Sequence, residues 1–191
     1  MRLATARRAC PAAVMAVTLI AGGSRLAAQV TPAPSGPSFL LAAPPTRATI
    51  SGRYLDATPA TSVEAAVPGK AFTLRLDVAP KAGIHVYAPG NKNYTAVRLT
   101  VDAPAGVTMT APTYPKGTEY FFAPLKERVQ VYAGPFRLER QVTVDPGSPL
   151  AQATTNPRLT ISGKLEYQAC DDKVCYLPQE LPVTWTVFIR R

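Results

Sequence analysis

The sequence predicts an all-β protein, an antiparallel β-sandwich, and three observations carry that expectation. Apolar residues recur at every second position in several short runs. Glycine, proline, asparagine or aspartate lies between those runs. With 20 prolines and 12 glycines among 191 residues, long helices are disfavoured, and no convincing amphipathic helix is found.

The elements follow in chain order. Phe72, Leu74, Leu76 and Val78 alternate with Thr73, Arg75 and Asp77. Val97, Leu99 and Val101 alternate with Arg98 and Thr100, and Val129 and Val131 repeat the pattern. Leu138, Val142 and Val144 form a looser set. Leu159, Ile161, Leu165 and Tyr167 come next, and Val183, Trp185, Val187 and Ile189 close the series. Pro68-Gly69, Pro80 to Gly83, Pro89-Gly90-Asn91, Pro104 to Gly106 and Pro146-Gly147 punctuate them. About eight strands are expected across roughly 145 residues. Such a domain, beginning near Thr46, buries a real core and does not depend on disulfides to fold.

Ahead of it, residues 1–28 read as a secretory signal peptide. Arg2, Arg7 and Arg8 form a positive start, Ala12 to Gly23 is apolar, and Leu26-Ala27-Ala28 offers small residues for cleavage near residue 28. The apolar run is shorter than the roughly 20 residues a membrane span takes. Arg7-Arg8 also fits twin-arginine export, but adjacent arginines are common in ordinary signal segments. Residues 29–45 carry five prolines between Val30 and Pro45 and read as an extended leader. The mature chain is therefore expected to be exported, without a transmembrane segment, into a compartment that permits disulfides.

Charge excludes one class of partner. The net charge of +9 includes Arg2, Arg7, Arg8 and Arg25 of the signal segment, and the remaining cations form no polybasic run. A nucleic-acid interface needs them clustered. Three cysteines and one histidine do not supply the four close ligands of a Cys/His zinc site, so no metal is expected.

The chemistry concentrates between Gly163 and Pro178, which hold both cysteines of the expected mature chain, Cys170 and Cys175. Asp171-Asp172-Lys173 is turn chemistry, and cysteines on either side of a tight turn can meet disulfide geometry. A structural bridge is the ordinary outcome in an exported protein. A magnitude weighs against it: so small a closed loop contributes only about 2 kcal/mol by chain entropy. The polar loop also suggests a pair near solvent, where exchange is open. Composition leaves the redox-active and structural alternatives both standing.

Tyr167-Gln168-Ala169-Cys170 through Cys175-Tyr176-Leu177-Pro178 resembles the active-site hairpin of the amino-terminal periplasmic domain of the thiol:disulfide interchange protein DsbD. The family pattern is an aromatic-Gln-x-Cys, a short acidic turn, a second cysteine and a proline. Gly83 to Tyr87 resembles the strand that sets aromatic or imidazole groups beside the cysteines. Tyr114 to Gly117 and Glu119 to Phe122 resemble the cap loop that lays an aromatic over the disulfide. The resemblance runs roughly from Thr46 to Arg191.

It implies an immunoglobulin-like sandwich acting as a periplasmic thiol–disulfide relay without a cofactor. A thioredoxin-like donor would reduce the domain, which would then reduce client oxidoreductases through transient mixed disulfides. Cys175 matches the cysteine that forms the mixed disulfide, and Cys170 the one that resolves it. The sequence ends at Arg191 with neither a membrane electron-transporting domain nor a thioredoxin-like domain, so the expected donor is a separate protein, with a separate membrane electron transporter as a further candidate partner. The alternative function is a non-catalytic exported binding or adaptor module whose disulfide is structural.

The supporting residues have plainer readings as well. His85, on a strand with Ile84 and Val86, also fits a packed or surface histidine. Tyr87 and Tyr167 fit core or rim aromatics, and Trp185 fits the core. Phe121 and Phe122 are adjacent, so one must point away from any core. Placed among Pro115, Gly117 and Pro124, they are expected on a loop as the cap. Asp171, Asp172 and Glu119 are ordinary solvated acids by default, but beside a cysteine they would disfavour its thiolate.

Overall fold

Each alternating run of the sequence becomes a strand in the computed structural model, which describes residues 48–154 and 157–190. The expected signal peptide and leader lie outside those residues. The first sheet has the order β1 (Ile50–Ser51), β2 (Leu55–Thr61), β4 (Phe72–Pro80), β10 (Phe136–Val144), β7 (Val107–Met109). The second runs β3 (Ala65–Ala66), β13 (Gln179–Ile189), β11 (Arg158–Tyr167), β6 (Arg98–Val101). The third runs β12 (Ala169–Cys170), β5 (His85–Tyr87), β9 (Glu127–Tyr132), β8 (Thr118–Phe122). All pairings are antiparallel except that of β3 with β13. The fold is an immunoglobulin-like sandwich with a small third sheet.

The described residues thus hold thirteen strands where about eight were expected. The additional ones, such as β1, β3 and β12, are two residues long, too short to show an alternation. A single helical turn, α1 (Pro149–Gln152), also escapes periodicity. Its start is local chemistry: the Ser148 hydroxyl accepts from the Ala151 amide, and proline stands in the first turn.

Period two decides what each strand buries. In β13, Leu181, Val183, Trp185, Val187 and Ile189 face inward while Glu180, Thr184 and Thr186 face solvent. In β4, Phe72, Leu74, Leu76 and Val78 meet them from the first sheet. Full burial of one such side chain contributes about 1.5–3 kcal/mol. Trp185 also bridges the layers, its indole N–H donating to the Arg75 carbonyl at 2.8 Å. Tyr167 belongs to this core, 2% exposed, as one of its plainer readings had it.

The third sheet uses its two faces differently. Val86, Tyr132 and Ala169 turn toward the main core. Tyr87, Val129, Val131 and Cys170 turn the other way and form a second apolar cluster. Alternation along β5 therefore sets His85 and Tyr87 on the cysteine side while Val86 anchors the strand.

The second sheet contains one position that accepts no side chain. A Cβ on Gly163 of β11 would lie 2.4 Å from the Thr100 carbonyl oxygen on β6, and neither backbone can give way cheaply. Gly163→Ala is expected to destabilise the domain by about 1–3 kcal/mol. Urea denaturation reads this directly, and an unchanged midpoint would mean that β6 shifts freely.

Candidate functional site

Cys170 and Cys175 are joined as a disulfide across a tight hairpin, with their Cα atoms 4.1 Å apart. The turn between them is held by one carboxylate. Asp171 Oδ1 accepts from the amides of Lys173 and Val174, both at 2.8 Å, and Oδ2 accepts from the Tyr176 hydroxyl at 2.7 Å. The Asp171 amide donates to the Val174 carbonyl, and the Tyr176 amide donates to Ala169. These bonds favour the charged carboxylate, the Tyr176 hydroxyl most, and hold the Asp171 pKa at about 2. Asp171 is thus a structural member of the hairpin rather than a free surface acid.

Gln168, immediately before the hairpin, fastens it to its neighbours. Its side-chain oxygen accepts from the Thr95 amide at 3.0 Å, and its side-chain nitrogen donates to the Tyr176 carbonyl at 3.1 Å. Tyr176 in turn stacks on Tyr54, with ring centroids 4.3 Å apart. The return of the hairpin is therefore seated on the main core.

The two sulfurs are not equivalent. Cys170 has no exposed surface, whereas Cys175 is half-buried. The Tyr87 hydroxyl lies 3.2 Å from Cys175 Sγ and 3.3 Å from Cys170 Sγ. Disulfide sulfurs carry no proton, so the tyrosine O–H is the donor in either contact. Burial raises the Tyr87 pKa strongly, and the neighbouring Tyr94 adds to it. The Tyr94 ring stacks on Tyr87 at 4.1 Å, and its hydroxyl donates to Glu127 Oε2 at 2.5 Å. Tyr94 comes from the connection between β5 and β6, which Asn91 clips to β9 by donating to the Ala88 and Gln130 carbonyls.

His85 pairs with Cys170 in the β5–β12 register, so the two side chains share a face. It is 4% exposed, and its Nε2 has no hydrogen-bond partner among the described residues. Burial lowers its pKa, while Asp172 and Asp171 oppose the shift. A neutral imidazole is the form that this apolar setting favours. Its ring packs against Tyr120 at 4.4 Å.

The segment expected as a loop is strand β8, paired with β9 from Thr118↔Val131 to Phe122↔Glu127. Five consecutive cross-strand partners supply the ladder, which outweighs the nearby Pro115 and Gly117 as loop signals. Its alternation separates the aromatic residues. Tyr120 packs against the cysteine cluster and donates to Asp172 Oδ1 at 2.9 Å. Phe122 is buried on that same face, one pleat further along. Phe121 is 51% exposed on the opposite face, under the Arg128 guanidinium, and Glu119 forms an ion pair with the same arginine. Neither Phe121 nor Glu119 is brought to the sulfurs.

The structure thus gathers Cys170, Cys175, Tyr87, His85, Asp171 and Asp172, and leaves Tyr167, Phe121 and Glu119 elsewhere. Sequence reasoning missed Tyr94, Tyr120, Glu127 and the clamp at Gln168. Reading residues 118–122 as a strand would have found Tyr120 from the period alone. Tyr94 and Glu127 had no such signal, because their meeting depends on the fold of a loop. Among the described residues no cluster of three histidine, cysteine or acidic side chains could hold a metal ion.

A disulfide at a hairpin tip, with one half-buried cysteine and a tyrosine hydroxyl within reach of both sulfurs, is an arrangement that thiol–disulfide exchange can use. The chain belongs to the family described as thiol:disulfide interchange protein DsbD, N-terminal, which matches residues 51–185. The structure is similar, at 10% identity and a TM-score of 0.49, to the N-terminal periplasmic domain of ScsB from Proteus mirabilis. That match covers 71% of this chain and 49% of the other, so the chain spans about half the length of its counterpart. It is also similar to the GAE domain of GGA2p from Saccharomyces cerevisiae, at 10% identity and a TM-score of 0.42, over 75% of this chain and 97% of that one. No curated protein sequence matches.

The Asp171 pKa carries a sign that can be tested. Its folded value lies below the ordinary carboxylate range, so its contribution is complete above about 4 and is lost as pH falls through its folded value. The amide resonances of Lys173 and Val174 are expected to titrate with a midpoint at about 2. The titration should vanish in Asp171→Asn. A midpoint in the ordinary aspartate range would mean that the carboxylate does not hold the turn.

Proposed function

We propose that this chain is an exported, periplasmic thiol–disulfide relay domain that works through Cys170 and Cys175. A thioredoxin-like donor reduces the pair, and the reduced pair then reduces client proteins. The observation that carries this reading is the asymmetry of the disulfide. Exchange begins when a thiolate attacks one sulfur in line with the bond, so access selects which sulfur is attacked. Cys175 is the half-buried cysteine of the pair, and Cys170 is fully buried in the cluster of Tyr87, Val129 and Val131. Cys175 therefore forms the mixed disulfide, and Cys170 resolves it.

Three further observations support the reading. Neither cysteine belongs to the main core, so opening a bridge over so short a loop costs the fold only about 2 kcal/mol. Family membership is that of thiol–disulfide interchange proteins. The signal segment at residues 1–28 supports export, and no helix among the described residues is long and apolar enough to cross a membrane.

Tyr120 takes the role of the cap that sequence reasoning gave to Phe121 and Phe122. It covers the cluster from β8, latched to the turn through Asp172. Tyr120→Ala is expected to speed reduction by a small thiol severalfold, whereas Phe121→Ala leaves the rate unchanged. Equal rates in Tyr120→Ala and the parent would remove the cap.

The relay itself is tested by trapping. With Cys170→Ser, Cys175 cannot be released from its partner, and a discrete covalent complex with a thioredoxin-like protein should accumulate on non-reducing gels of exported extract. Cys175→Ser should trap far less. Similar yields from both, spread over unrelated partners, would favour the structural disulfide instead.

A further inference from the structure

Resolution poses a problem that the geometry of the cysteines alone does not solve. Cys170 must be a thiolate to attack, yet it has no exposed surface. Water cannot take its proton directly, so a protein group must. The Tyr87 hydroxyl is in contact with that sulfur, but Tyr87 is itself fully buried. Its proton also needs an exit.

We propose that Tyr87, Tyr94 and Glu127 form a hydroxyl relay that carries the Cys170 proton to a carboxylate at the protein surface during resolution of the mixed disulfide. The inference rests on the relay function proposed above. Each link has its own observation. Tyr87 Oη lies 3.3 Å from Cys170 Sγ. The rings of Tyr87 and Tyr94 stack nearly parallel, 4.1 Å apart at 10°, and their hydroxyls act on each other. Tyr94 acts to raise the Tyr87 pKa and Tyr87 to lower that of Tyr94, the sense expected of a Tyr87 hydroxyl that donates to Tyr94. Tyr94 donates to Glu127 Oε2 at 2.5 Å, and Glu127 is half-exposed. The last hydrogen bond already points toward the carboxylate, the direction in which a proton leaving Cys170 must travel.

The step balances as follows. Cys175 Sγ is bonded to the client's sulfur. The Cys170 thiol gives its proton to Tyr87 Oη, Tyr87 gives its own to Tyr94 Oη, and Tyr94 gives its own to Glu127 Oε2. The Cys170 thiolate attacks Cys175 Sγ. The Cys170–Cys175 bond forms as the Cys175–client bond breaks, and the electron pair leaves on the client's sulfur. The cysteine pair is oxidised, the client is reduced, and Glu127 returns its proton to water.

Other groups around Tyr87 serve this step less well. Tyr120 from β8 already donates to Asp172, and the imidazole of His85 from β5 is buried without a hydrogen-bond partner on Nε2 among the described residues. Asp171 is occupied by the turn. Tyr94 and Glu127 act through Tyr87 and touch neither sulfur, so they are positioning residues for the proton.

The test uses the reduced protein and oxidised glutathione, which forms a mixed disulfide that mass spectrometry detects after acid quenching. In Tyr94→Phe, which keeps the stacked ring, and in Glu127→Gln, which keeps an acceptor for Tyr94, the adduct should form at the parent rate. It should then persist about a hundredfold longer, the lower end of what a positioned acid–base group contributes. The parent's resolution step should slow in deuterium oxide, and that sensitivity should be lost in Glu127→Gln. Thermal midpoints should match the parent's; where one variant loses stability, the other decides. Adduct lifetimes equal to the parent's overturn the relay alone. A parent that never forms or never resolves the adduct overturns the exchange function beneath it.

Discussion

The pairing of β12 with β5 is the constraint on which the site depends. It is only two residues long, Ala169↔Val86 and Cys170↔His85, but it joins the cysteine hairpin to a strand with two different faces. Ala169 and Val86 are locked into the main core, and that anchorage leaves Cys170, His85 and Tyr87 no choice of side. A one-residue slip would exchange the faces and bury the site residues in the sandwich. The packing cost of that exchange fixes the register more firmly than two ladder bonds could.

The hairpin beyond that anchor is held by polar bonds rather than by burial. Asp171 closes the turn, Gln168 ties it to Thr95 and Tyr176, and Tyr176 rests on Tyr54. Charge-assisted bonds to a carboxylate are roughly twice as strong as neutral ones, which suits a turn with little apolar surface. None of these groups is a sulfur. The turn can therefore keep its shape when the disulfide opens, and two thiols held near each other can close again. Surface ion pairs such as Arg137–Asp77 and Lys164–Glu180 lie elsewhere and contribute little at their exposure.

Electrostatics at the site favour neutral groups. Burial raises the Tyr87 pKa and lowers that of His85, while the turn's hydrogen bonds lower that of Asp171 on the solvent side. Within the turn Lys173 stands beside Asp171, and its charge adds to the hydrogen bonds that favour the carboxylate.

Period-two alternation and turn residues determined the sandwich, because burial on one face of a strand leaves its mark residue by residue. The motif from Tyr167 to Pro178 determined where the chemistry lies, since two cysteines astride a turn are local in sequence. The alternation around His85 and Tyr87 was legible too, and so was the need for one of Phe121 and Phe122 to face outward. Strands of two residues were not legible, being shorter than the pattern that would reveal them. Nor was β8, where a long-range ladder overrode nearby proline and glycine. Only the tertiary structure decided that Tyr120 rather than Phe121 meets the cysteines, and that Tyr94 meets Glu127. Those contacts link positions that are dozens of residues apart, and their energies arise only after the strands have paired. Local sequence carries no trace of them.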